Sequence, residues 1–184
     1  GSTAILDGSA SVAELRFSAN AVISSKEGEE SPSLLTASNI IVDEGVTGSI
    51  SAELAQDIEK TGSGTLELSR SREGKTTKVS DGTIKFTDSA DVGDLVLGTD
   101  VNKSVALDYS GNILTGKINS YMNIATPVGG NAALKNGEYQ YTETLRVWNG
   151  FLTIADDATV TMDSSASRWV CVGGNNADSE SATD

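Results

Sequence analysis

The sequence predicts an all-β fold, a right-handed parallel β-helix (β-solenoid) of about eight coils. Three observations support this prediction: a repeated strand pattern, frequent Gly, Ser, Thr, Asn and Asp between apolar pairs, and the near absence of a helical period. Residues 52–60 (AELAQDIEK) are the best helix candidate, with room for one or two turns.

The repeated pattern is clearest at residues 64–87, where GTLELS recurs eighteen positions later as GTIKFT. Side chains alternate between the two faces of a strand, so every second residue should face inward. The same pattern recurs near residues 150–162. The residues predicted to be buried are Leu66, Leu68, Ile84, Phe86, Leu152, Ile154, Val160 and Met162, and those predicted to be exposed are Glu67, Lys85 and Thr153.

Turn residues divide the chain into short strands at a spacing of roughly 18–24 residues per coil. One coil alone buries little apolar surface, whereas a stack pairs each strand with its equivalents above and below. The stack then gains about 25 cal/mol per Å² of apolar surface removed from water. The whole chain, 1–184, is predicted to be one such segment.

Residues 60–87 also resemble a known family. The residues that fit are Lys60, Gly62, Gly64, Thr65, Leu66, Leu68, Ser69, Gly74, Thr76, Thr77, Val79, Gly82 and Thr83. In this combination they resemble the autotransporter-associated β-strand repeat, found in passenger regions of large exported proteins of Gram-negative-type bacteria. Arg70 stands where that repeat usually has glycine, and Lys75 replaces the second glycine of a pair. The resemblance implies a solenoid at the bacterial cell surface, and it carries no catalytic residues.

Composition excludes several function classes. The net charge of −13 would repel a phosphate backbone, so nucleic-acid binding is not expected. Histidine is absent, which removes Ser-His-Asp and Cys-His arrangements and most zinc sites. The single cysteine, Cys171, is predicted to be a small buried residue, with a free reactive thiol as the alternative. No cofactor, metal site or membrane-spanning segment is predicted.

Acidic residues are the only candidates for catalysis. Asp156-Asp157, Asp163, Asp43-Glu44 and Asp91/Asp94 could share a solenoid face, as in polysaccharide-cleaving β-helices. We expect them to be solvated turn residues instead, since glycoside hydrolysis needs a set carboxylate separation. The charged excursion 26–33 is expected to be a surface loop, with a calcium site as the less favoured alternative.

Aromatic residues concentrate near the carboxyl end of the chain. If the alternation holds, Trp148 and Phe151 face outward, where they could stack on sugar rings or cover another protein. The alternative is packing beneath a loop or an end cap. The predicted ligand-binding residues are Trp148, Phe151, Trp169, Tyr139 and Tyr141.

These observations predict a non-enzymatic structural or adhesive segment of an exported bacterial surface protein that binds glycans or a host or cell-surface protein. The alternative is a polysaccharide-cleaving enzyme or a fragment of one. Gly1-Ser2 resembles a cloning scar, and the polar end ADSESATD suggests a piece cut from a longer chain. An unpaired last strand, RWVCV, would then favour weak self-association through the C-terminal coil.

Overall fold

The computed structural model describes residues 1–28, 33–72, 74–87, 94–97, 103–108, 122–124, 131–135, 137–141, 145–147, 151–162 and 170–172. In these ranges the chain is all-β and contains no helix. The strands are β1 (Ser2–Leu6), β2 (Ala10–Phe17), β3 (Ala21–Ser25), β4 (Leu34–Val42), β5 (Thr47–Ile50), β6 (Glu53–Leu54), β7 (Ile58–Thr61), β8 (Thr65–Leu68), β9 (Thr76–Val79), β10 (Gly82–Phe86), β11 (Asp94–Leu97), β12 (Ser104–Asp108), β13 (Met122–Ile124), β14 (Asn131–Lys135), β15 (Gly137–Tyr141), β16 (Leu145–Val147), β17 (Phe151–Ile154), β18 (Ala158–Met162) and β19 (Val170–Val172).

Two parallel sheets hold most of these strands. The first sheet has eight strands in the order β1-β3-β5-β8-β10-β12-β14-β17. The second has nine, in the order β19-β16-β13-β11-β9-β7-β4-β2 with β6 beside β4, and β15 and β18 form a separate pair. Every pairing within the described ranges is parallel, and neither large sheet closes on itself. Apart from β6, β15 and β18, successive strands therefore alternate between two open parallel sheets.

The register between neighbouring strands confirms the repeat seen in the sequence. Leu66 is paired with Ile84 and Leu68 with Phe86, so the two copies of the pattern lie side by side. The step from one strand to the next is not constant, since it is 18 residues from Thr65 to Thr83 and 27 from Ala21 to Gly48. The loops between strands differ in length, so the number of residues from one strand to its neighbour varies more widely than the predicted spacing per coil.

The core lies along the inward rows of the two sheets. Leu66, Leu68, Ile84 and Phe86 are fully or almost fully buried, which confirms the prediction for the central repeat. Their row continues into Leu107 and Leu134, both without exposed surface. The strands in this region bury alternate residues, as a period of two requires.

The first sheet also shows why one of its inward positions is glycine. A Cβ atom on Gly48 would lie 2.5 Å from the ring of Phe17, which is buried at the end of β2. The missing side chain therefore makes room for an aromatic ring that comes from the second sheet.

Three predictions require correction. Residues 52–60 contain β6 and most of β7 and no helical turn, because burial alternates along β7, with Ile58 and Lys60 buried and Glu59 between them half-buried. Ile154 is 49% exposed, because β17 ends the first sheet and no described strand covers its far side. Glu67 and Lys85 were predicted to be exposed and are half-buried, because each screens the other in an ion pair.

The remaining burial predictions have mixed outcomes. Thr153 is exposed, as predicted, and Val160 is partly buried against the core. The side chains of Leu152, Met162 and Cys171 lie outside the described part of the structure.

Candidate functional site

The predicted aromatic site is only partly within the described residues. Trp148 and Trp169 lie outside them. Tyr139 and Tyr141 lie on β15 in the two-stranded sheet, whereas Phe151 begins β17 in the first sheet. The backbone thus places the tyrosines and Phe151 in different sheets, and the side chains of all three are outside the described part.

Where the structure describes them, the candidate acidic residues do not form a metal site. Asp156 and Asp157 are exposed in the turn between β17 and β18. Asp43 follows β4, and its Oδ1 atom lies 2.8 Å from Arg16 Nη2 in an ion pair. Asp91 and Asp163 lie outside the described ranges, as does the side chain of Asp94. No group of three His, Cys, Asp or Glu side chains that could hold a metal ion occurs in the part of the chain that the structure describes.

A charged row runs across the outer face of the first sheet. The paired residues are Ser49, Glu67, Lys85, Asp108 and Lys135, so charges of opposite sign alternate from strand to strand. Ser49 Oγ donates to Glu67 Oε2 over 2.6 Å, and Lys85 Nζ lies 3.4 Å from Glu67 Oε1. Cross-strand pairs of opposite charge support the register of a sheet. This row is therefore self-neutralising, which favours a structural role for it.

A groove lies at one end of the same face, where β1, β3, β5 and β8 finish. In a parallel sheet the carboxyl ends of the strands meet at one edge, and the residues that follow them come together there. The groove has a volume of about 850 Å³. We call it the Arg70 groove; its lining includes Ile5, Ser24, Ser25, Lys26, Glu27, Ser51 and Arg70.

The two cations of the Arg70 groove differ in their contacts. Lys26 Nζ lies 2.8 Å from Asp7 Oδ2, so its charge is already paired. Arg70 is exposed and donates from Nε to the Ser51 carbonyl oxygen over 3.0 Å. No other hydrogen bond or ion pair of Arg70 occurs among the described residues. Its two terminal amino groups are therefore available to a ligand.

Two further residues of this groove differ in the face they occupy. Ser25 alternates with Ser24 and shares the inward face of buried Ile23, and its buried Oγ has no hydrogen-bond partner in the described ranges. An orphaned buried hydroxyl is unfavourable by about 1–3 kcal/mol. Ile5 is 65% exposed beside Ser24, its paired neighbour on β3.

A second depression of about 460 Å³ lies farther along the same sheet, near Asp81 and Lys103. Lys103 Nζ lies 3.2 Å from Asp81 Oδ2, so these two charges offset each other. This depression offers less to a charged ligand than the Arg70 groove does.

The most unusual buried group is the side chain of Lys60. It occupies an inward position in the second sheet, paired with Ile40 on one side and Val79 on the other, and has no exposed surface. Its ammonium group donates to the carbonyl oxygens of Gly62, Gly64 (2.7 Å) and Asp81 (2.6 Å). A buried charge needs such partners, because an unpaired one is strongly unfavourable.

This arrangement depends on glycines at the turns. Gly62 and Gly82 have φ of 76° and 74°, a backbone conformation that other residues rarely adopt. A Cβ atom on Gly82 would lie 2.5 Å from Lys60 Nζ. Burial lowers the pKa of Lys60 from 10.5 to about 8, although the negative charge of Asp81 opposes the shift. Lys60 thus ties two successive turns together.

Arg72 performs a similar role one turn away. It is 1% exposed and donates to the carbonyl oxygens of Leu54 (2.9 Å), Gln56 (2.7 Å) and Thr76 (3.3 Å). Its Nε also donates to Thr77 Oγ1 over 3.2 Å. Burial lowers the pKa of Arg72 to about 10, with Asp57 opposing. Both buried cations donate mainly to backbone carbonyl oxygens.

Sequence reasoning missed both the Arg70 groove and the buried cations. A signal existed for each. Lys60 sits at an inward position of a strand and is followed by two glycines, a combination that predicts a buried amine capped by turn carbonyls. Arg70 replaces the glycine that is usual in the repeat that these residues resemble, so a side chain stands where a bare turn is expected.

Comparisons with protein-family models, curated proteins and solved structures found no match to this chain. No helix long and apolar enough to span a membrane occurs in the ranges that the structure describes.

Proposed function

We propose that this chain is a non-enzymatic, structural and adhesive segment of an exported bacterial surface protein, and that it binds glycans on its outer surface. The observation that carries the proposal is the stack of parallel strands, in which the chain alternates between two sheets and advances one place at a time. Such a stack presents a long outer face on a rigid support. The resemblance of residues 60–87 to the autotransporter-associated β-strand repeat favours the same location, outside the cell.

The finer architecture that we propose is a right-handed parallel β-helix of about eight coils. Each coil would supply one strand to the first sheet, which has eight. Right-handed crossovers between parallel strands are the general rule. Eight coils at about 4.8 Å each would give a rod of nearly 40 Å. Small-angle X-ray scattering should then return an elongated particle, and a compact spherical one would contradict the β-helix.

The function is tested by incubating the purified protein with a panel of polysaccharides and with a glycan array. We expect binding to at least one glycan and no change in the length of any polysaccharide. Reproducible cleavage that is lost in Asp156→Asn or Asp157→Asn would instead establish the polysaccharide-cleaving alternative. Binding to none of the glycans would refute the adhesive proposal.

Trp148→Ala tests whether the aromatic residues near the carboxyl end take part. We expect weaker glycan binding or weaker self-association in sedimentation, with an unchanged far-UV circular dichroism spectrum. An unfolded variant would show that Trp148 packs inside the protein. Antibodies against the purified protein should label intact cells of the source bacterium, which tests the proposed location.

A further inference from the structure

The Arg70 groove combines features that suit one class of ligand. Arg70 is exposed and has no ion-pair partner among the described residues, in a chain with a net charge of −13. Arg70 is held by its Nε bond to the Ser51 carbonyl, which fixes the guanidinium at the groove and leaves its two amino groups for a ligand. A guanidinium fork of this kind matches the two oxygens of a carboxylate.

The other groups in the groove suit a sugar ring. The Ser24 hydroxyl can donate and accept. Ser51 Oγ already donates to the Ile23 carbonyl oxygen over 3.4 Å and can accept, and Glu27 can accept from a ligand hydroxyl. The exposed side chain of Ile5 offers an apolar surface to the C–H face of the ring.

The charges also decide which anion is favoured. Lys26 is paired with Asp7, so the charges that remain in the groove are the positive charge of Arg70 and the negative charge of Glu27. A phosphate monoester, with a charge between about −1.5 and −2 at neutral pH, would place stronger negative charge next to Glu27 within an acidic protein. A single carboxylate on a carbon ring needs only Arg70. The volume of about 850 Å³ falls within the usual range of ligand sites, about 300–1,000 Å³.

We propose that the Arg70 groove binds uronic acid residues of an acidic polysaccharide, with the sugar carboxylate on Arg70. This proposal rests on the proposed glycan-binding function and names its ligand class. Arg70 is the specificity-determining residue, because a neutral sugar makes no use of its charge. Ile5 and the serines add contacts that any sugar of similar shape would share.

The test uses two tetrasaccharides with the same linkage, cellotetraose and its counterpart oxidised at every C6 position, a β-1,4-linked glucuronate tetramer. Isothermal titration at moderate salt should show binding of the glucuronate tetramer, at least tenfold weaker binding of cellotetraose, and a further loss at high salt. Arg70→Gln should weaken glucuronate binding at least tenfold, and Arg70→Lys should weaken it less. Ile5→Ala should weaken both tetrasaccharides by a similar factor.

Arg16→Gln is the matched control. Arg16 is also an exposed arginine, but it lies on the second sheet and pairs with Asp43. Its replacement should leave glucuronate binding unchanged. All variants should keep the circular dichroism spectrum of the parent protein.

Several results would overturn the proposal. Equal binding of the two tetrasaccharides, or full glucuronate binding by Arg70→Gln, would remove the role of Arg70. Competition by acetate as effective as that of free glucuronate would reduce the groove to a simple carboxylate site. If the protein binds only neutral glycans, and this binding is lost in Trp148→Ala but kept in Arg70→Gln, the inference about the groove is refuted. The proposed glycan-binding function would then still hold. Failure of every glycan to bind would remove both.

Discussion

Replacement of Lys60 by Met tests the buried ammonium group directly. Methionine has a similar length and fills the same inward position between Ile40 and Val79, so no large cavity should form. The variant leaves the carbonyl oxygens of Gly62 and Asp81 without this donor, while Gly64 O still accepts from Thr83 N over 3.1 Å. Two orphaned carbonyls destabilise the fold by about 1–3 kcal/mol each.

The positive charge of Lys60 in the folded protein has an unfavourable effect that opposes the gain from these hydrogen bonds. The pKa of Lys60 falls from 10.5 in the unfolded chain to about 8 in the fold. At neutral pH, keeping the ammonium charged in the fold is therefore unfavourable by about 3 kcal/mol. The mutation removes this penalty together with the hydrogen bonds. At about pH 7, Lys60→Met should therefore lower the free energy of unfolding by only about 1 kcal/mol. The two opposing effects give a range from a gain of about 1 kcal/mol to a loss of about 3 kcal/mol.

The difference between the two proteins should grow as the pH rises. Between the folded pKa of about 8 and the unfolded value of 10.5, the unfolded chain holds the Lys60 proton and the folded chain does not. The free energy of unfolding therefore rises with pH in this window. From about pH 7 to about pH 9.5 the native protein should gain about 2 kcal/mol relative to Lys60→Met.

Urea unfolding followed by far-UV circular dichroism at the two pH values measures this difference. Ile40→Met is the control, because it changes the neighbouring inward residue without removing a titratable group, and its effect should be the same at both values. If the effect of Lys60→Met is equally independent of pH, or shrinks as pH rises, the account of a desolvated ammonium group is wrong.

Three further substitutions test the packing, each measured by urea unfolding. Gly82→Ala should destabilise the fold by more than the roughly 1–3 kcal/mol that backbone strain alone causes, because the new Cβ atom also meets the buried ammonium group of Lys60. Gly74 has positive φ but open space around it, so Gly74→Ala should show the effect of strain alone. Gly48→Ala should be destabilising because of the Phe17 ring, and Phe17→Leu added to it should recover part of the loss; strictly additive effects would exclude the clash. Leu68→Ala should lose about 2–5 kcal/mol, and a loss below 1 kcal/mol would argue against a packed inward row.

The all-β class and the central repeat could be predicted because they depend on local rules. The alternation of Thr65, Leu66, Glu67 and Leu68 fixes which face each side chain takes in a strand, and the structure buries the two leucines. The eighteen-residue step is also local, since equal spacing places like residues side by side in register. A stack needs nothing further to form an apolar core.

The sites could not be predicted in the same way, because residues distant in the sequence form them. The carbonyls around Lys60 come from Gly62 and Gly64 nearby and from Asp81 in the next turn, and only the stacking of turns brings them together. The Arg70 groove likewise joins Ile5, Lys26 and Arg70 at the carboxyl ends of three strands. The exposure of Ile154 follows from its place on an end strand. The sequence by itself determined which face a residue takes in the strands of the central repeat, and which residues pair there. Elsewhere only the tertiary structure decided the neighbours of a residue, because the loops between paired strands differ in length.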